Sequence, residues 1–150
     1  MKKATSDLLL LDVNVLVAMA WPNHQFHVAA IRRLESSRNR WATCALTQIG
    51  FIRLCANPAV VGSPRSPAEA AALLSLMVQD ARHVFLEAMP SPVAKGFGAL
   101  LEGLLGHQQV TDAYLLALAR QHEATFVTFD ARMKHLTAPG AILEVLGQPA

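Results

Sequence analysis

Three aspartates stand where a divalent cation could be held: Asp12, Asp112 and Asp130. Asp12 directly follows the apolar run Leu8–Leu11, and Asp130 follows the β-branched and aromatic stretch 125–128 after one residue. Taken singly, each is explained as an ordinary turn or helix-cap carboxylate. Asp112 is harder to explain that way. It heads a helical pattern whose positions three, four and seven residues on are Leu115, Leu116 and Ala119, so it lies on the apolar stripe. A carboxylate facing inward needs a donor, a metal or a wet cleft. Polar residues head two other inward stripes. Asn14 precedes Val17, Ala18 and Trp21, and Gln48 precedes Phe51, Ile52 and Cys55. Helix capping covers one or two such cases and accounts poorly for all of them.

Carboxylates gathered in one place repel, and their pKa values rise unless a cation compensates. Oxygen donors suit Mg²⁺ or Mn²⁺. A soft metal would want Cys or His, and neither Cys44 and Cys55 nor the six histidines have ligand spacing. His24 and His27, three apart, are the only conceivable pair. A hard cation on such a cluster polarises a phosphate and lowers the pKa of bound water, which is equipment for phosphodiester hydrolysis. Thr128 could hold a metal-bound water through its hydroxyl. Arg53 and Arg132 are candidates for gripping RNA phosphate, a contact that positions without specifying sequence. Trp21 and Trp41 suit packing better than base stacking, and His107, ahead of the Asp112 helix, has no evident catalytic part.

The elements that must position these residues alternate. Strands are predicted at Leu8–Leu11, 41–44, His83–Leu86, Thr125–Thr128 and 141–146. Helices are predicted at Val13–Ala20, 24–37, 47–56, 67–79, 93–105 and 110–122. Asn57 to Pro67, with three prolines, a glycine and two serines, reads as a connecting loop. Alternation of this kind implies a parallel sheet covered by helices, with ligands beyond the carboxyl ends of the strands. Asp12 and Asp130 fall on that edge.

With 150 residues the chain suits one domain spanning 1–150. Its 53% hydrophobic and 16% charged content excludes disorder and suggests a well-covered interior or subunit interface. The net charge of +2 permits an anionic partner without demanding one. No apolar run approaches the roughly 20 residues of a bilayer span. Lys2 and Lys3 ahead of an apolar stretch imitate a signal peptide, but Asp12 inside that stretch argues against one, so a cytoplasmic protein is expected.

These segments together match a known pattern. "LLLLDVNVLVAMAW" resembles the opening strand and first acid of PIN domains. "TQIGFIRLCANP" resembles their helix with the second acid, and "VTDAYLLALARQHEATFVTFDARM" their closing half. The likeness covers Leu8 to about Leu146 and is strongest to the toxin ribonucleases of VapBC toxin–antitoxin pairs. It implies a three-layer α/β/α domain with a mainly parallel sheet of four or five strands. It further implies a Mg²⁺- or Mn²⁺-dependent endoribonuclease, a homodimer, and inhibition by a VapB-type antitoxin docking near the active site. By position, the first acid falls on Asp12, the third on Asp112 and the last on Asp130, with Thr128 at a frequent hydroxyl position. The second acid, commonly Glu, is Gln48, which can ligate a hard cation or hydrogen-bond its water but adds no charge. Two alternatives therefore stand beside an active nuclease. One is the same fold as a catalytically weakened RNA- or antitoxin-binding module. The other is a haloacid-dehalogenase-like phosphatase, which would want Asp where Asn14 stands and a downstream lysine, for which only Lys95 offers.

Overall fold

The computed structural model describes residues 7–36, 39–63, 65–95, 97, 101–102, 104, 106–136 and 140–147. Five strands form one sheet: β1 (Leu8–Leu11), β2 (Arg40–Cys44), β3 (His83–Leu86), β4 (Thr125–Thr128) and β5 (Ile142–Val145). Their order is β3-β2-β1-β4-β5 and every pairing is parallel. The described helices are α1 (Val13–Ala20), α2 (His27–Glu35), α3 (Ala45–Cys55), α4 (Pro67–Met77) and α5 (Val110–Gln121), with 3-10 turns at His107–Gln109 and Ala131–His135.

The four leucines of β1 show why the sheet is covered twice. Leu9 and Leu11 enter a core with Val15, Ala30, Phe51, Ala70 and Leu74, from α1 to α4. Leu10 points the other way, among Leu115, Leu118 and Phe126 beneath α5. Successive strand side chains alternate faces, so a continuous apolar run needs both layers. Burying each such leucine stabilises the fold by about 1.5–3 kcal/mol. The chain winds outward from β1 through β2 to β3 in one direction, then returns through α5 to β4 on the other side of β1. The order reverses between β1 and β4, which opens a crevice at their carboxyl ends.

Element ends differ from expectation for identifiable reasons. The third helix begins at Ala45 rather than Thr47 because the Thr47 hydroxyl reaches back to accept the Cys44 amide proton at 2.9 Å. The second begins at His27 rather than His24, since His24 Nδ1 accepts the Phe26 N–H at 3.0 Å and closes a turn first. Before α4, Ser66 and Glu69 cap one another reciprocally and Pro67 occupies the first turn. Of the expected 93–105 helix, residues 93–95 lie in turns, and much of the remainder lies outside the described residues. Cys44 and Cys55 are buried, unpaired thiols. Trp41 is buried in the core, its indole N–H donating to Asp80 at 3.2 Å.

Candidate active site

Asp12 ends β1 and caps α1. It is only 8% exposed. Its Oδ1 accepts the Val13 N–H at 2.8 Å and its Oδ2 accepts the Thr128 hydroxyl at 2.7 Å. Burial raises its pKa despite these bonds, with a smaller push from Asp130. Asn14, on the first turn of α1, reaches across the crevice. Its amide donates to Thr128 Oγ1 at 3.1 Å and its carbonyl accepts the Phe129 N–H at 3.1 Å. The Asp130 N–H also donates to Thr128 Oγ1, at 3.0 Å. These bonds lace the end of β1 to the end of β4.

They also correct the role expected of Thr128. A hydroxyl has one proton and two lone pairs. The proton goes to Asp12, and the lone pairs face Asn14 and the Asp130 amide. Nothing remains to hold a metal-bound water, so Thr128 positions the two acids instead.

Asp112 sits half-buried in the first turn of α5, which carries no side-chain cap. Leu115, Leu116 and Ala119 behind it are buried, as the stripe required. It makes no side-chain hydrogen bond among the described residues. The helix-cap explanation therefore fails. Its pKa is pushed up to about 6, by burial first, then by the charges of Asp12 and Asp130, while Arg132 opposes the rise.

Asp130 follows β4 and caps the 3-10 turn Ala131–His135. Its carboxylate is gripped by Arg132, with Nε 3.0 Å from Oδ1 and Nη2 2.8 Å from Oδ2. That contact holds its pKa below the usual carboxylate range.

A cleft of about 360 Å³ is lined by Asp112, Asp130 and Arg132 together with His107, Gln108 and Gln109. His107, given no catalytic part on sequence grounds, lines the cleft with Gln108 and Gln109, two residues that sequence reasoning did not single out. The signal was available, since these residues immediately precede the Asp112 helix on the ligand edge. An apolar groove lies alongside, lined by Leu46, Met89, Pro90, Val110 and Tyr114.

Two predicted residues do not join the acids. Gln48 donates to Thr43 Oγ1 at 3.0 Å, and Thr43 is bonded in turn to His83 Nε2 at 2.8 Å. The amide nitrogen is thus engaged by the sheet, and Gln48 does not line the cleft; nor does Asp12, which reaches Asp112 through its charge. Arg53 lies exposed in the last turn of α3, a helix that begins beside the carboxyl edge and runs away from it. His27 Nδ1 bonds to the Ala18 carbonyl and His24 Nδ1 accepts the Phe26 N–H, and among the described residues no third Cys, His, Asp or Glu joins the two histidines to make a metal site.

The donor set fits a hard divalent cation in kind: oxygen ligands, and negative charges near enough to disturb one another. The carboxylates are within electrostatic reach but not yet in one coordination sphere. Among the described residues no three Asp, Glu, His or Cys side chains converge closely enough to enclose an ion.

Comparison with known proteins agrees with this geometry. Residues 9–139 match the PIN domain model. Ribonuclease VapC39 of Mycobacterium tuberculosis is 39% identical over 140 residues, 91% of this chain and 98% of that protein. Ribonuclease VapC38 of the same organism is 41% identical over 126 residues, 83% of this chain and 86% of that one. In fold, the chain is similar to one from VapBC2 of Rickettsia felis, solved bound to a promoter DNA fragment, with a TM-score of 0.64 at 18% identity over 93% of this chain and 99% of that one. The parallel α/β/α sheet, the acids at its switch point and these likenesses agree: the chain belongs to the PIN-domain family, beside the VapC ribonucleases.

Proposed function

We propose that this chain is the toxin endoribonuclease of a type II toxin–antitoxin pair, hydrolysing RNA phosphodiester bonds with Mg²⁺ or Mn²⁺ held by Asp12, Asp112 and Asp130. Asp112 is the observation that carries the reading. It is an inward carboxylate without a hydrogen-bond donor among the described residues, driven up to about 6 by burial and two neighbouring acids. Such a group calls for a cation.

When bound, the ion supplies Lewis-acid polarisation of the phosphate and a water of lowered pKa. The chain's own residues do the rest. Asn14 and Thr128 fix the Asp12 carboxylate and tie it to the backbone of Asp130. Asp112 closes the site from α5. Arg132 stands at the rim, where its planar fork suits a phosphate oxygen. His107 to Gln109 line the same cleft.

The partners follow from the same reading: an RNA substrate, a VapB-type antitoxin and a second copy of the chain in a homodimer. The apolar groove beside the acids suits an antitoxin segment docking next to the active site. No described helix is long and apolar enough to cross a membrane. Membership of the PIN family sets aside the phosphatase alternative, and Asn14 is occupied as a clamp between strands.

Incubation of a structured RNA with the protein in Mg²⁺ tests the proposal. Cleavage should occur, stop on chelation, and be lost in Asp12→Asn. Binding of the RNA without cleavage in Mg²⁺ or Mn²⁺ would instead favour the weakened binding module, for which the engagement of Gln48 by Thr43 speaks.

A further inference from the structure

We infer that Arg132 is the in-chain counter-cation of the acidic cleft, holding Asp130 in the metal-free protein and releasing it when a divalent ion binds. This rests on the nuclease reading of the same acids. The guanidinium covers both carboxylate oxygens: Nε is 3.0 Å from Oδ1 and 3.3 Å from Oδ2, and Nη2 is 2.8 Å from Oδ2. The Arg132 backbone N–H adds a fourth contact, 2.9 Å from Oδ1.

An ion such as Mg²⁺ requires a carboxylate lone pair at about 2.0–2.1 Å. The bidentate fork and the Arg132 backbone N–H together fill three of the carboxylate's roughly four lone-pair sites, which leaves the ion little access. Two cations on one carboxylate would also repel. The guanidinium and the ion therefore compete.

Release is easy by construction. The Arg132 side chain is 78% exposed, and Asp130 is its only hydrogen-bond partner among the described residues. The Asp130 side chain is 19% exposed, so the pair is exposed on the arginine side only, and even a bidentate pair at such a rim contributes modestly. Asp12 differs in this respect, being held by a hydroxyl and an amide within the fold. One acid is thus permanently oriented, and another is kept under a displaceable charge. Arg132 becomes available to an RNA phosphate only after that displacement.

The plainer explanation is a cap. Arg132 lies two residues after Asp130, and the pair closes a 3-10 turn. The two explanations differ in what happens to metal affinity. Calorimetric titration of MnCl₂ into the full chain at neutral pH should show R132Q binding about two- to tenfold more tightly than wild type, the range expected when an exposed charged pair no longer has to be broken. R132K should fall between them, as a point charge without the fork. In wild type, the Arg132 Nε–H resonance should lose its hydrogen-bonded shift as Mg²⁺ saturates the site. Equal or weaker Mn²⁺ binding by R132Q, or an Nε–H signal unmoved at saturation, overturns the competition and leaves the metal site standing. If neither protein binds Mn²⁺, both the inference and the nuclease reading fall.

Discussion

Asp112 and Thr128 show opposite ways in which one side chain shapes the site. Asp112 is raised to about 6, above the roughly 3.9 of an exposed aspartate. The folded state therefore retains a proton that the unfolded state gives up. Between about pH 4 and 6 the unfolded chain binds fewer protons, so stability of the metal-free protein should fall across that window and level off above it. Asp112→Asn removes the titration. Its thermal midpoint, measured in chelator, should exceed wild type above pH 7 and converge with it near pH 4, while RNA cleavage is lost. A variant that unfolds but retains specific activity would place the chemistry elsewhere. Thr128→Val acts in the other direction. It strips a 2.7 Å bond from the buried Asp12 carboxylate and leaves the Asn14 amide and the Asp130 N–H without their acceptor. A loss of about 2–4 kcal/mol is expected from denaturant titration, most of it restored by Thr128→Ser.

At the scale of elements, α1 packs closely on α3 just beyond Asp12. A Cβ built on Gly50 would meet Val13 Cγ2 at 2.6 Å. Val13 is the residue after Asp12, and its branched side chain has little rotamer freedom on a helix. Gly50→Ala should therefore cost about 1–3 kcal/mol in urea unfolding. The double variant with Val13→Ala should recover much of that loss, and if it does not, the glycine has some other purpose. Nothing in the sequence announces this contact, because it depends on which helices cross and how closely. The strands were legible for the opposite reason. An unbroken run such as Leu8–Leu11 has one stable home, between two layers, and its end fixes where Asp12 stands. The helical spacing likewise placed Asp112 inward before any contact was known. For Gln48, periodicity gives the face of the helix and not the partner that its amide nitrogen selects; Thr43, on the neighbouring strand, is only five residues away. The saturation of Thr128 and the fork of Arg132 on Asp130 are side-chain geometry, outside the reach of any pattern of residue types.

The whole molecule brings Asp12 within electrostatic reach of two acids a hundred or more residues further on, because strand order reverses between β1 and β4. If these acids hold a cation as proposed, the site is a stability problem in the absence of metal and should become a stability gain in its presence. A cation bound only by the folded state stabilises it by about 2.7 kcal/mol at a hundred times its dissociation constant. For a chain of this length that corresponds to roughly 5–10 °C in thermal midpoint. The gain should be present at pH 7.5 and shrink below pH 6, where protons compete for Asp112. Scanning calorimetry with and without saturating Mn²⁺ at pH 7.5 and 5 measures this directly. Asp112→Asn should respond weakly at both values, because the group whose charge creates the pH dependence is gone. A wild-type midpoint indifferent to Mn²⁺ at pH 7.5 would mean that folding has collected these carboxylates without making a place for an ion, and the repulsion carried by Asp112 would then need another purpose.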